Sequence, residues 1–230
     1  MKDASRTWSG RDCDEKIKIN VAFPLQGQRL PADHGYQLFA AVSKIISESH
    51  DLEKSEKWLG VELISGVPFD RGLIVLPTRN ARLNLRIPAD KFGEVIPLAG
   101  KSLDIGGHRI RLGIPTARPL QPVSSLYSRI VTFRNSMEIP KFLETAEKEL
   151  AQKEIKATLE LPKEGRSRQR RIITIKGKKI VGFSIIARKL SDEDSIKLQH
   201  LGLGGRRSMG CGIFNPIRKP IDFEVENYGV

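Results

Sequence analysis

The sequence contains little cysteine. Its 230 residues include only Cys13 and Cys211, which lie far apart and outside any Cys-x-x-Cys spacing. Two such cysteines exclude a disulfide framework and a structural zinc site, and they suit a reducing compartment. The four histidines are also scattered, without the short spacings of metal ligands. We therefore predict no metal, no cofactor and a cytoplasmic location.

Long apolar runs are absent as well. No stretch approaches the roughly 20 apolar residues that a membrane-spanning helix needs. Residues 1–15 are polar and lack the apolar segment of a signal peptide. We therefore expect neither secretion nor insertion into a membrane.

Aromatic residues make up only 6% of the chain, and the Lys/Arg-Gly-Phe/Tyr-Gly/Ala-Phe pattern of base-stacking RNA modules is missing. Basic residues, in contrast, are in excess: 39 Lys and Arg against 27 Asp and Glu give a net charge of +12. Such an excess indicates a polyanionic partner, with nucleic acid as the first choice. We expect phosphates and shape, rather than stacked bases, to dominate recognition.

Three familiar motifs are incomplete. Gly100-Lys101-Ser102 ends like a phosphate-binding loop, but Val95 stands where that loop needs its first glycine. Gly202-Leu203-Gly204 begins like a dinucleotide fingerprint, but its third glycine would fall at Arg207. Ser208 lacks the flanking glycine of a nucleophile elbow. Nucleotide binding and serine hydrolysis are therefore not indicated.

The first half of the chain shows the order of a β-α-β-β-α-β unit. Residues 17–23 alternate apolar and polar as a strand does, and Asp33 is placed to cap a helix that runs to about Glu48. Gly106 and Gly107 supply the positive φ angles of a tight hairpin turn. The remaining predicted elements are strands at 58–64, 72–76 and 81–87, a helix at 90–98, and hairpin strands at 102–105 and 109–114.

The second half repeats this order after a proline-rich linker at 115–122. Ser191 is placed to cap the last helix, which runs to about Leu201. The other predicted elements are strands at 128–134, 157–161, 172–175, 179–187 and 213–217, and a helix at 140–155.

Two such units in tandem predict an α+β fold with two ferredoxin-like (RRM-like) domains, each with helices on one face of an antiparallel sheet. We place the domains at residues 16–118 and 123–219, after a polar leader at 1–15 and before an acidic tail at 220–230. A glycine-rich loop precedes the last strand of the second domain.

A dense basic cluster lies in the second half. Between Lys163 and Lys179 there are eight basic residues against the single acid Glu164. Such a hairpin neutralises backbone phosphates and gives affinity with little sequence information; the alternative is a solvated loop. The predicted RNA-binding residues here are Arg166, Arg168, Arg170, Arg171, Lys176, Lys178 and Lys179.

The glycine-rich loop, residues 202–212, packs five glycines and two arginines into eleven residues. Glycines allow backbone to approach a ligand closely, and exposed N–H groups in such turns form anion sites. The alternative is a flexible connection between helix and strand. The predicted RNA-binding residues here are Gly202, Gly204, Gly205, Arg206, Arg207, Ser208, Gly210 and Gly212.

The same loop resembles the signature of the RAMP superfamily, which is Gly-hydrophobic-Gly, five residues, and again Gly-hydrophobic-Gly. Gly202-Leu203-Gly204, residues 205–209 and Gly210-Cys211-Gly212 meet it at every position. Together with the tandem plan over residues 16–219, this resembles the CRISPR-associated repeat-RNA processing endoribonucleases, the sixth Cas family, and the closest subtype is the Myxan one. The resemblance implies a CRISPR repeat stem-loop as ligand and other Cas effector-complex subunits as further partners.

Residues 30–36 (LPADHGY) resemble the opening of the first helix, where many of these enzymes carry a catalytic histidine. The resemblance makes His34 the candidate for metal-independent cleavage by the RNA's own 2′-hydroxyl, which yields 2′,3′-cyclic phosphate and 5′-hydroxyl ends. The positive end of the helix would keep this imidazole neutral. The alternative is a surface histidine, and Tyr36 and His200 stand in reserve as RNA contacts.

Two other functions are consistent with the same sequence features. A non-catalytic subunit that binds CRISPR RNA would carry the same glycine-rich loop, although the presence of His34 favours an enzyme. A protein-interaction module with an incidental basic loop would bind its partner with little dependence on salt, whereas phosphate binding weakens steeply as salt rises.

Overall fold

The computed structural model describes residues 17–46, 58–162 and 170–217. Its first half contains two α-helices and nine strands within these ranges, besides short 3-10 turns. The helices are α1 (Gly35–Ile46) and α2 (Phe92–Val95). The strands are β1 (Lys18–Gln26), β2 (Arg29–Pro31), β3 (Gly60–Val61), β4 (Val67–Pro68), β5 (Leu73–Val75), β6 (Arg82–Pro88), β7 (Ser102–Ile105), β8 (His108–Leu112) and β9 (Thr116–Pro119).

The second half contains two further helices and five strands within the same described ranges. The helices are α3 (Ile139–Gln152) and α4 (Asp192–Leu201). The strands are β10 (Ser125–Val131), β11 (Thr158–Glu160), β12 (Arg170–Ile175), β13 (Lys178–Arg188) and β14 (Asn215–Pro216).

Both halves have the strand order of a ferredoxin-like unit. The first sheet runs β3-β6-β1-β8-β7, with β9 also paired to β1, and the second runs β11-β13-β10-β14, with β12 also paired to β13. In each half the first strand lies between the third and the fourth strands of the unit, and all pairs are antiparallel. The predicted tandem ferredoxin-like fold is confirmed.

Most predicted elements are present with shifted ends. In α1 the apolar stripe buries Leu38, Phe39 and Val42, as its three- and four-residue spacing predicts. The strand predicted at 58–64 is wrong in length, because only β3 pairs there. The linker predicted at 115–122 is wrong in part, because β9 pairs with β1; all four of its residues are exposed, so no alternation marks it as a strand.

Each sheet covers its own core. Phe23, Leu85 and Leu38 belong to the first, and Phe142, Phe183 and Phe214 to the second, and all are at most 3% exposed. No helix among the described residues is long and apolar enough to cross a bilayer.

The two halves meet around a buried guanidinium. Arg86, in the middle of β6, is only 4% exposed. It donates to the backbone oxygens of Phe214 (2.6 Å) and Gln199 (3.2 Å) and to the amide oxygens of Asn20 (3.0 Å) and Asn215 (2.7 Å). Three of these four acceptors lie in the second half, so one side chain of the first sheet holds both ends of the glycine-rich loop.

We predict that Arg86→Ala destabilises the protein by about 3–5 kcal/mol, because two buried carbonyl groups lose their donor. Glu62, which faces Arg86 at 3.7 Å, also loses its positive partner and keeps, among the described residues, only the amide of Asn84. Arg82→Ala, at the exposed start of the same strand, is the matched control and is expected to change stability by less than about 0.5 kcal/mol. Urea unfolding measures both. Equal effects of the two substitutions would contradict this role of Arg86.

Candidate functional site

The glycine-rich loop is fixed against the second sheet. Its backbone N–H groups donate to Ile130 O from Gly212 (2.8 Å) and to Thr132 O from Gly205 (3.4 Å). The N–H of Gly204 donates to both carboxylate oxygens of Glu149 in α3, at 3.1 and 3.2 Å. The loop therefore has a defined position between β10 and α3.

The glycines allow this close packing. Gly204 has a φ of +67°, and a Cβ atom there would lie 2.5 Å from Thr132 O. At Gly212 φ is +66°, and a Cβ atom would run into Leu203 O. Both φ values lie in the left-handed region, which side chains rarely adopt. The glycines thus allow the loop to pack against itself and against Thr132, just after β10.

This geometry changes the predicted role of half of the loop. We expected the whole loop to approach RNA, but Gly202, Ser208, Gly210 and Gly212 are buried. The hydroxyl of Ser208 has no hydrogen-bond partner in the part of the chain that the structure describes. These four buried residues are surrounded by protein, so packing rather than RNA contact explains why they are small. The outer part of the loop, Gly204 to Arg207, is exposed or half-buried.

We predict that Gly212→Ala lowers the free energy of unfolding by at least about 1–2 kcal/mol, the usual cost of a side chain in the left-handed region. Gly205→Ala is the matched control, because its Cβ atom would meet nothing within 4 Å. It is expected to be neutral within about 0.5 kcal/mol. Urea unfolding measures the difference. A Gly212→Ala protein of unchanged stability that has lost RNA binding would restore the original prediction.

The two arginines of the loop differ in their contacts. Arg206 is exposed, and its Nη1 donates to Thr132 Oγ1 at 3.2 Å. Arg207 is half-buried, and its Nη1 donates to Leu201 O at the end of α4 (2.9 Å) and to Gly204 O (3.4 Å). Arg206 therefore presents its charge to solvent, whereas Arg207 also ties the loop to the helix.

The basic hairpin is formed by β12 and β13. Five of its predicted RNA-binding residues lie within the described ranges, and Arg166 and Arg168 lie outside them. Arg171 is half-buried and donates from Nε to Ser184 Oγ at 3.0 Å. The other four are exposed: Arg170, Lys176, Lys178 and Lys179.

The hairpin contacts the start of α1. Asp33 Oδ2 accepts a hydrogen bond of 2.7 Å from the N–H of Thr174 in β12, so the cap predicted for this residue gives way to a contact between the two halves. Ile173 packs with Ile130 and Cys211, and Leu63 of the first half joins this cluster. The hairpin, the glycine-rich loop and residues 33–35 therefore meet in one place.

His34 lies at this meeting point but is completely buried. Its Nδ1 lies 2.7 Å from Pro31 O, and its Nε2 accepts from the N–H of Ile64 at 3.0 Å. Because an amide N–H can only donate, the ring proton sits on Nδ1. The expected alternative of a surface histidine is therefore wrong, and His34 reaches RNA only if the bond to Ile64 opens.

The imidazole of His34 is neutral near pH 7. Burial lowers its pKa from the ordinary 6.5 to about 4, the hydrogen bond to Pro31 O opposes this shift, and the positive charge of Arg129 adds to it. The neutral form was predicted, but the main cause is loss of water around the ring rather than the helix end.

Three other residues complete the description of this region. The Cys211 thiol is buried, which raises its pKa to about 12 and leaves it protonated and unreactive. Tyr36 is half-buried against the first core. His200 lines a shallow cleft between the halves whose lining does not include His34, and Lys18 Nζ donates to the His200 backbone oxygen at 2.7 Å.

Arg129 in β10 was not predicted from the sequence, although its positive charge helps to lower the pKa of His34. No local pattern marks this residue, because its half-buried position becomes visible only in the folded sheet. The residues described here contain no group of three or more His, Cys, Asp or Glu side chains that could hold a metal ion.

We predict that the burial of His34 makes stability depend on pH. The pKa of the His34 imidazole is 6.5 in the unfolded chain and about 4 in the folded chain. The contribution of His34 to the free energy of unfolding is therefore complete above about pH 6.5 and is lost as the pH falls towards 4. The full loss is about 3 kcal/mol.

The measurement is urea unfolding of wild type and His34→Asn at pH 7, 6 and 5, with His108→Asn as a histidine control. The stability of His34→Asn is expected to fall less steeply with decreasing pH than that of wild type. Parallel curves for the two proteins would mean that His34 is not buried in its neutral form.

The fold and this site define a tandem ferredoxin-like protein with a basic hairpin and a glycine-rich loop, and comparisons with known proteins specify it further. A family model described as Cas6 Crispr matches residues 19–219. The CRISPR-associated endonuclease Cas6 of Myxococcus xanthus (strain DK1622) is 40% identical over 200 residues, which are 87% of this chain and 82% of that relative. The chain therefore belongs to the Cas6 family of CRISPR-associated endonucleases.

Solved structures agree in fold. A Cas6-related protein from Pyrococcus furiosus has a TM-score of 0.64 at 16% identity, covering 89% of this chain and 99% of that one. The CRISPR endoribonuclease Cse3, bound to a 19-nucleotide RNA, has a TM-score of 0.50 at 11% identity, covering 86% of this chain and 98% of that one. At such identities the likeness concerns the fold alone.

Proposed function

We propose that this chain is a cytoplasmic endoribonuclease of the Myxan subtype that binds the stem-loop of a CRISPR repeat and cleaves precursor CRISPR RNA without a metal ion. The observation that carries the proposal is the convergence, at the start of α1, of a basic hairpin, the exposed Arg206 and a neutral histidine. Membership of the Cas6 family supports the same function.

RNA binding rests on the exposed cations of the hairpin. Lys176, Lys178 and Lys179 lie at its turn, and Arg170 lies at the far end of β12. Such a strip tracks phosphates along a stem and releases counterions, so affinity should fall steeply with salt. Arg206 extends this strip of cations towards His34. An RNA strand that follows the strip therefore passes the start of α1, where it is cut.

Cleavage uses the RNA's own 2′-hydroxyl as nucleophile. The 2′-hydroxyl loses its proton and its oxygen forms a bond to the adjacent phosphorus. The bond from phosphorus to the 5′-oxygen breaks, and that oxygen takes up a proton from solvent water. The products carry a 2′,3′-cyclic phosphate and a 5′-hydroxyl. The Pro31 carbonyl holds the proton of His34 on Nδ1, so Nε2 is the atom that accepts a proton once RNA displaces the Ile64 amide.

The segment that covers Nε2 is irregular. Residues 62–66, which include Ile64, form no strand or helix between β3 and β4. Opening gives up the amide hydrogen bond from Ile64, whose net contribution is roughly 1 kcal/mol. It also moves the Ile64 side chain, which is 1% exposed in the first core, so RNA binding has to offset both costs.

One observation favours the second candidate, a subunit that binds CRISPR RNA within an effector complex without cutting it. Both ring nitrogens of His34 are engaged by backbone groups, and the ring has no exposed surface. A histidine of this kind also fulfils a purely structural role. The two functions share RNA binding and differ in cleavage.

We predict that His34→Ala lowers the single-turnover rate of repeat-RNA cleavage by roughly 10²–10⁴-fold, the usual effect of losing a positioned proton-transfer group. Binding of a 2′-deoxy repeat RNA, which cannot be cut, should change little, because phosphates provide the affinity. His108→Ala is the matched control, with unchanged rate and binding. All assays run in chelator and below the melting temperature of each variant.

Two outcomes contradict this proposal separately. A wild-type protein that binds repeat RNA tightly but never cuts it supports the non-catalytic subunit. Full activity of His34→Ala keeps the endoribonuclease but removes this histidine from its chemistry.

A further inference from the structure

The first half also contains a small third sheet. Its three strands run in the order β2-β5-β4, and both pairs are antiparallel. Arg29 pairs with Val75, which pairs in turn with Val67, so these three side chains share one face. Ile74, the neighbour of Val75 in β5, points the other way and is buried. The face that carries Arg29 and Val67 is therefore the outer face of this sheet.

The outer face is apolar and carries an aromatic ring. Phe69 follows β4 in an extended conformation, and its N–H donates to Leu73 O at 2.9 Å, so it continues the strand pairing. It therefore points to the same side as Val67, two residues earlier. Val67 is 54% exposed and Phe69 is 48% exposed. Exposed apolar side chains that lie together mark a binding surface. We call this face, made of Arg29, Val67, Phe69 and Val75, the platform.

An arginine is stacked on the aromatic ring of the platform. The guanidinium carbon of Arg29 lies 4.4 Å from the centre of the Phe69 ring, and Arg29 is itself exposed. The neighbouring carboxylate, Asp70, is paired with Arg71 at 3.5 Å, so it does not cancel the charge of Arg29. A ring and a cation at one place suit single-stranded RNA, because its bases stack on aromatic side chains and its phosphates pair with cations.

The platform adjoins the catalytic candidate. Strand β2 ends at Pro31, whose backbone oxygen lies 2.7 Å from His34 Nδ1. Strand β4 begins three residues after Ile64, whose N–H donates to His34 Nε2. Asp33, two residues after β2, accepts from Thr174 N–H of the basic hairpin. The platform and the basic hairpin therefore both adjoin the start of α1.

We propose that the platform binds one unpaired RNA nucleotide next to the phosphate that is cut, with its base stacked on Phe69 and its phosphate bound by Arg29. This inference rests on the RNA binding proposed above and deepens it. Charge favours RNA over a protein as the occupant, because the chain carries a net charge of +12 and the exposed cations of the hairpin adjoin the same helix start. A nucleotide held here would fix the position of the RNA strand relative to His34.

The test is a thermodynamic cycle between Phe69 and single bases. The full-length protein is titrated with a repeat RNA that cannot be cut because it carries one 2′-deoxy nucleotide, and each unpaired nucleotide beside the stem is in turn made abasic. Wild type should lose roughly 5- to 100-fold in affinity at one of these positions, as loss of a base stacked on an aromatic ring does. Phe69→Leu should show a similar loss on the intact RNA and little further loss at that position. Leucine keeps the platform apolar, so the loss reports stacking.

Salt dependence separates the two side chains. Arg29→Gln should reduce the slope of log affinity against log salt by about one, because one phosphate contact is lost. Phe69→Leu should leave this slope unchanged, since it removes no charge, and Phe69→Tyr should bind RNA like wild type. Ile96→Ala is the matched control, because Ile96 is a 40% exposed apolar residue just after α2, outside the small sheet. It should alter neither affinity nor slope.

The outcomes separate this inference from the proposed function. A wild type that binds no repeat RNA contradicts the proposed function itself. A wild type that binds tightly, with Phe69→Leu as tight or with equal losses for both proteins at every abasic position, overturns the platform alone. Sedimentation velocity tests a contact between copies of the chain as the other use of such a face. A dimeric wild type that becomes monomeric in Phe69→Leu at unchanged RNA affinity would overturn the RNA assignment. All affinities are measured below the melting temperature of each variant.

Discussion

The arrangement depends on the buried guanidinium of Arg86. A charge in a protein interior is tolerated only when its donors are satisfied, and here the acceptors include the backbone oxygens of Gln199 and Phe214. These two residues stand just before and just after the glycine-rich loop. The first sheet therefore fixes where the loop begins and ends, and with it the position of Arg206 beside the start of α1. The two ferredoxin-like units form the framework, and the Arg86 side chain fixes how they are aligned with each other.

The site that results combines two opposite electrostatic conditions. The exposed cations of the hairpin and the loop attract phosphates from solvent. His34, in contrast, is buried and neutral. Backbone groups of Pro31 and Ile64 form hydrogen bonds to its two ring nitrogens. A base that must accept a proton at neutral pH has to be unprotonated first, and burial secures this. In the mechanism that we propose, the same burial keeps the ring closed until RNA binds.

The sequence predicted what depends on local pattern and missed what depends on distant contacts. Within the described ranges, alternation and helical spacing located most strands and the three long helices, and the Ser191 cap accepts from Asp194 N–H as expected. The glycine signature located the loop but not its burial, which results from contacts with Thr132 and Leu63 far along the chain. The bond from Thr174 to Asp33 spans 141 residues, and no local pattern reports such a pairing.

We propose that this protein cuts RNA by means of the RNA's own 2′-hydroxyl. The most direct measurement is the chemical identity of the two new ends after incubation with a CRISPR repeat transcript in chelator, read by mass spectrometry. We predict a 2′,3′-cyclic phosphate on the upstream fragment and a 5′-hydroxyl on the downstream fragment. A 3′-hydroxyl together with a 5′-phosphate would show that water attacks the phosphorus instead, and would contradict it.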